Sequence, residues 1–324
     1  MVNLSRTTLR GFATVGALAG FAAAALPSAQ AAQTAPTATA PKAASTAAVA
    51  TAATPVPPVD GRAYAIGNPP AGEALTTKSS TLNIVRYNRL YKTGPITPSK
   101  CKEVNVSLRT AAGVDAYVSQ HFRCTYAEWA LPLKQAGAAY KVAPKLVMHS
   151  ASSVRSYCGV VDGNTAFFCG YNGKAWIYIP RPPIQRYWAQ SPTMARAYTT
   201  NVLAHEYGHH VQWLTGILGA SWQRQRAFST YAAQMEESRR RELQASCLGS
   251  ASIGANKRYY PMAGGLYQQW LYVVNNSGDQ PGYPRDHGSM KNHGFWSRAG
   301  FNASRSYAVA GNCNTWNANS TYVA

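Results

Sequence analysis

Acidic side chains are what this chain has least of. Asp and Glu number 12 against 31 Lys and Arg in 324 residues, giving a formal net charge of +19. So few carboxylates leave a short roster for any site that needs one. The excess of cations favours association with anionic polymers such as cell-wall polyanions, acidic lipids or nucleic acid, without choosing among them. No recognisable nucleic-acid module accompanies the charge, so specific nucleic-acid recognition is not expected. CxxC pairs are missing as well, which excludes thiolate zinc sites and thioredoxin-type redox chemistry. Apart from Gly11 to Leu26 no long apolar run occurs, so no membrane span is expected once that segment is removed. No internal repeat is found.

The N-terminus carries Arg6 and Arg10, then the apolar run, then Ala29-Gln30-Ala31, the order of a secretory signal peptide over residues 1–31. No Cys follows it to receive a lipid, and the arginines do not form a twin-arginine pair. Residues 32–80 are rich in Ala, Thr and Pro and lack a hydrophobic period, which reads as a flexible linker. Residues 81–324 form the remaining domain. Six cysteines in an exported chain are read as disulfides. Cys101 with Cys124, Cys158 with Cys169 and Cys247 with Cys313 is the pairing their positions favour, one of the 15 that six cysteines permit.

Local patterns place the elements. Leu82 to Tyr87 alternates as a strand does, and Val114 to Tyr140 reads as one or two helices interrupted at Pro132. Between 157 and 180, Gly-rich turns separate Ala166-Phe167-Phe168 from Trp176-Ile177-Tyr178-Ile179, as in a hairpin that Cys158 and Cys169 would staple. Ser191-Pro192 supplies an N-cap with Pro at the first helical position. The helix it opens runs to about Leu218, and a second, from about Ser229 to Ser250, follows after a short connection.

The chemistry concentrates in His205-Glu206-Tyr207-Gly208-His209. Four residues on a helix bring both imidazoles to one face, where they can share a tetrahedral metal. A carboxylate next to the first ligand can take the proton of a zinc-bound water, whose pKa the metal lowers. Gly208 costs roughly 1 kcal/mol inside a helix, so its presence predicts a close backbone approach there. A third ligand is needed, and downstream the chain offers Glu236, Glu237, Glu242, Asp279 and Asp286. Glu242 lies on a helix suited to pack against the first, whereas Glu236 and Glu237 read as surface ion-pair partners of arginines 239–241. His210 points off the ligand face and reads as a packing group. His121, His149 and His293 carry no spacing signal and read as structural or surface histidines.

Val202-Leu203-Ala204-His205-Glu206-Tyr207-Gly208-His209-His210-Val211-Gln212 resembles the active-site helix of the neutral zinc metallopeptidases of bacteria. Three further segments agree in order: Tyr157-Cys158-Gly159 with Phe167-Phe168-Cys169 and Trp176-Ile177-Tyr178, then Arg241-Glu242-Leu243-Gln244-Ala245-Ser246-Cys247, then His287-Gly288-Ser289 with Asn292 and Trp296. The resemblance covers about residues 150–305. It implies an α+β, zincin-like metallopeptidase domain with an HExxH active-site helix, a second ligand helix and a small sheet. It further implies a zinc cofactor on His205, His209 and Glu242, Glu206 as general base, and His287 stabilising the oxyanion. Ser246 stands where that family has Asp and His293 where it has Arg, which weakens the support of a ligating histidine.

The expected function is therefore a secreted zinc peptidase acting on a protein or peptide, with an edge strand near Trp176–Ile179 pairing an extended substrate. The rival reading is a catalytically weak or inactive zinc-binding, cell-wall-associated protein of the same fold. A nucleic-acid-binding reading rests on charge and Tyr content alone.

Overall fold

A computed structural model describes residues 12–14, 80–282, 284–303 and 309–324. The signal peptide, apart from residues 12–14, and residues 32–79 of the linker lie outside the described residues. The architecture is mixed, a bundle of helices beside a small sheet, in keeping with the α+β expectation.

Helix α4 (Pro192–Leu214) is the axis of the fold. Ser191 caps it by accepting from the Met194 amide at 3.2 Å, with Pro192 in the first turn. From Ala197 to Gln212 every residue is buried, so the helix shows no polar face and is surrounded on all sides. Helix α6 (Tyr231–Asn256) packs along it, capped by Thr230. The two approach backbone to backbone: a Cβ on Gly208 would overlap the Ala245 carbonyl, and one on Gly249 would overlap that of Ala204. These reciprocal contacts make the pair antiparallel and explain the glycine inside the α4 motif. Helix α8 (Met290–Ala303) closes on the far side of α6, where Gly300 meets the Cys247 carbonyl and Gly254 that of Phe301. Helices α2 (Ala111–Gln135), α3 (Arg181–Gln190) and α7 (Gly264–Asn275) complete the cover of α4.

Several local expectations give way. Leu82–Tyr87 is not a strand: Thr81–Arg86 forms helix α1, capped by Ser80 and packed on helix α5 (Ile217–Ala227), because Ile84 and Val85 find an apolar wall there and a short apolar run fits either geometry. Helix α2 runs unbroken through Pro132, which sits in the last turn. Helix α4 ends at Leu214 because Gly216 turns left-handed (φ 78°), and the supposed short connection holds another helix, α5 (Ile217–Ala227).

The sheet has the order β1-β5-β6-β2, where β1 is Phe12–Thr14, β2 Lys145–His149, β5 Phe167–Tyr171 and β6 Lys174–Pro180. The β5–β6 hairpin matches the expected one, but β6 is not an edge. It pairs antiparallel with β5 and parallel with β2, so Trp176–Ile179 has no free side to offer a substrate. Alternation splits the strands between two faces. Phe168, Ile177 and Ile179 point into the main core, whereas Phe167, Cys169 and Tyr178 face the hairpin of β3 (Ser153–Ser156) and β4 (Gly159–Asp162).

All three expected cysteine pairs lie at disulfide spacing, with Cα–Cα distances of 5.6 Å for Cys101–Cys124, 5.9 Å for Cys158–Cys169 and 5.5 Å for Cys247–Cys313. Among the described residues no helix is long and apolar enough to cross a membrane. The C-terminal residues lie along α6 and α8: Arg239 donates to the Val323 carbonyl, Trp296 to that of Tyr322, and Asn292 together with the Ser289 amide to Ala324.

Candidate metal centre

The reciprocal glycine contacts set α4 and α6 close enough for short polar side chains to meet between them. His205 and His209, one turn apart on α4, converge with Glu242 of α6, and one ligand atom from each lies within 4.8 Å of the others. Glu242 Oε2 is 3.1 Å from His209 Nε2 and 3.4 Å from His205 Nε2. Tetrahedral zinc with bonds near 2.0–2.1 Å separates its ligand atoms by about 3.3–3.4 Å. The set therefore has the chemistry and the spacing of a two-His, one-carboxylate zinc site. Burial lowers His205 to about 4, which keeps the imidazole neutral and able to ligate. Burial works to raise Glu242, but the histidines around it outweigh that and hold its carboxyl well below the usual range.

The outward nitrogens are already engaged, and this is the strongest sign that Nε2 is reserved. His205 Nδ1 bonds Ser246 Oγ at 2.9 Å, and His209 Nδ1 bonds Gln212 Oε1 at 2.9 Å. Gln212 is fixed in turn through Nε2, which donates to the Arg241 carbonyl and to Gln244 Oε1. His205 Nε2 has no hydrogen-bond partner. On the other side of Glu242, the buried Arg241 guanidinium stands 3.6 Å from Oε1, stacked at 4.2 Å over Trp222 and held by Ser221, Gln225 and Ser238. Neither Gln212 nor Arg241 has a spacing signal that would have marked it beforehand.

Glu206 is fully buried, and no hydrogen bond of ordinary geometry reaches either oxygen. Burial first, and the Glu242 charge second, raise its carboxyl well above the ordinary value, while the Phe168 backbone of β5 works the other way. That places a proton-hungry carboxylate between the ligand cluster and the sheet. His287 lies at the rim, its Nδ1 2.6 Å from Asp286 Oδ1 and its backbone amide donating to Asp279 Oδ1 at 2.8 Å. It is near enough to couple electrostatically to both His205 and Glu242.

The other histidines sort cleanly. His210 bonds the Val142 carbonyl at 3.0 Å and packs against Phe168 and Trp213, tying the sheet to α4 as a packing group does. His293, without a motif to recommend it, abuts the centre and meets Ser246 Oγ through Nδ1 at 3.2 Å. Glu236 pairs with Arg240 at 2.7 Å as expected, but Glu237 is buried: it takes Arg224 at 3.0 Å and the Trp316 indole N–H at 2.8 Å, an anchor for the C-terminal residues rather than a surface pair.

A buried site of two imidazoles and a carboxylate with an unsatisfied carboxyl alongside is the donor set of a zinc hydrolase. The family model described as "Putative neutral zinc metallopeptidase" matches residues 94–263, just over half of the chain, and the chain belongs to that family, with zinc as its cofactor. The match starts earlier than the expected core and takes in α2. It ends before His287 and His293. No curated protein and no solved structure matches significantly.

Proposed function

We propose that the chain is an exported zinc metallopeptidase of zincin-like fold, in which His205, His209 and Glu242 hold the metal and Glu206 is the general base. The observation that carries this reading is the arrangement of the two imidazoles, each pinned through Nδ1 with Nε2 turned to Glu242. Zinc, when bound, polarises the scissile carbonyl and acidifies the attacking water. Glu206, desolvated and reached by no hydrogen bond of ordinary geometry, takes the water's proton and returns it to the leaving amine. His287, oriented by Asp286, donates to the oxygen that gains charge.

The substrate is a protein or peptide, as the family description implies. Because β6 is interior, the pairing edge is that of β5. Phe12–Thr14 lies antiparallel along Phe168–Gly170, beside Glu206. In the exported chain, cut after residue 31, that edge is open to an extended peptide, and residues 81–324 are the catalytic domain. Three disulfides suit an oxidising, extracellular setting, where the cationic surface favours an anionic wall polymer as a partner. The inactive reading rested on Ser246, yet Ser246 keeps its bond to His205.

Zinc content and hydrolysis of denatured protein test the proposal. Glu206→Gln is expected to keep stoichiometric zinc and lose activity by about 10²–10⁴-fold, whereas Glu242→Ala loses the metal. Full zinc occupancy in Glu242→Ala, or wild-type turnover in Glu206→Gln, overturns it.

A further inference from the structure

Ser246 and His293 lie 47 residues apart and touch: Ser246 Oγ stands between His205 Nδ1 at 2.9 Å and His293 Nδ1 at 3.2 Å. Ser246 and His293 are buried, and the His293 ring lies against the backbone of Gly278, where a Cβ would press on its Cδ2. A hydroxyl has a single hydrogen to give. Some hydroxyls inside helices spend theirs on their own helix, Thr125 on His121 and Thr199 on Ala195. Ser246 instead meets two imidazoles.

We propose that His293 is a positioning residue for the metal centre, acting through Ser246 as the terminal acceptor of a relay that replaces a carboxylate behind His205. The inference rests on His205 being a zinc ligand. An imidazole that ligates through Nε2 carries its proton on Nδ1, so His205 donates to Ser246 Oγ. The Ser246 hydrogen then has to leave toward His293, which accepts at Nδ1 and carries its own proton on Nε2. Giving that hydrogen away makes Oγ a better acceptor for His205, because hydrogen bonds in series polarise one another. Serine alone is a weak support for a ligand; serine backed by an acceptor fixes both the tautomer and the ring plane of His205. His293 touches neither metal nor substrate, and its effect reaches the zinc through two hydrogen bonds.

The test is zinc affinity of the full chain by chelator competition, with the absorption spectrum of the Co²⁺-substituted protein and the melting temperature of each metal-free variant. His293→Leu is expected to weaken zinc about tenfold or more, within the 10–100-fold span of such partners, and to shift the Co²⁺ bands. His293→Asn, whose carbonyl stands near the Nδ1 position, restores affinity to within about threefold, while His293→Gln, whose acceptor sits near Nε2, does not. Ser246→Ala loses as much as His293→Leu, and the double variant loses no more than either, the mark of one shared path. Unchanged affinity and spectrum in a folded His293→Leu, or additive losses in the double variant, overturn the relay. Should His293→Leu not fold, the Asn and Gln variants decide, and equal affinities in those two refute it. A wild type that binds no zinc refutes the metal site itself, a separate outcome.

Discussion

Helix α4 separates two buried polar clusters that share a vocabulary and differ in grammar. On one side His205, His209 and Glu242 converge; on the other, His121, Glu128, Thr200, Ser252, Asn256 and Tyr260 line a small internal cavity between α2, α4 and α6. Both contain a histidine and a glutamate removed from water. In the second, Glu128 is taken up by Ser99 and Ser252, and neither nitrogen of His121 has a hydrogen-bond partner. No ligand atoms point at one another there. Burial of a charged type is common to both clusters; convergence with the outward atoms already occupied belongs to the first alone, and the proposed metal site rests on it.

The largest break in that contrast comes from the contact that creates convergence. Gly208→Ala forces a methyl into the Ala245 carbonyl, so α4 and α6 have to separate near Glu242. A loss of about 1–3 kcal/mol of metal-free stability is expected, with zinc affinity falling more than tenfold. Denaturant unfolding with and without chelator reads both, and a variant that keeps wild-type zinc affinity refutes the role given to this contact.

A subtler break removes orientation and leaves the ligands. Gln212→Leu frees His209 Nδ1 from its partner and is expected to weaken zinc by about 10–100-fold. The matching change in the other cluster, Glu128→Gln, leaves zinc affinity untouched and acts on pH dependence. Burial raises the Glu128 carboxyl to about 7. A raised folded-state pKa gives stability that is whole below the unfolded value near 4.5 and is lost as pH climbs through about 7. Wild type is therefore expected to lose melting temperature between pH 5 and pH 8 by this route, and Glu128→Gln to flatten that slope; parallel profiles for the two proteins refute it.

Why one cluster was legible beforehand and the other was not follows from what sequence periodicity encodes. His205 and His209 were readable because four residues on a helix fix a shared face whatever surrounds them, and Gly208 announced a close neighbour for the same local reason. Glu242 needed family resemblance to be singled out, since the α4–α6 contact spans 33 residues of chain and no local rule sets it. Gln212, Arg241, Ser246 and His293 take their roles from side-chain contacts across helices, where polar residues of ordinary type become specific only through packing. Errors elsewhere were local and ambiguous. Leu82–Tyr87 was short enough to suit either strand or helix, and Glu237 looked like a surface acid until the Trp316 indole covered it.

The C-terminal residues carry one more consequence. The loop bearing His287 is fastened by the Ser289 amide and Asn292 to Ala324, and by Asn292 to Thr321. Residues 321–324 leave the ribosome after every other described part of the molecule. A proteolytically clipped chain is expected to bring His205, His209 and Glu242 together while its His287 loop is untethered. A molecule trimmed of residues 321–324 is therefore expected to keep its zinc while the loop that bears His287 loses its fastening.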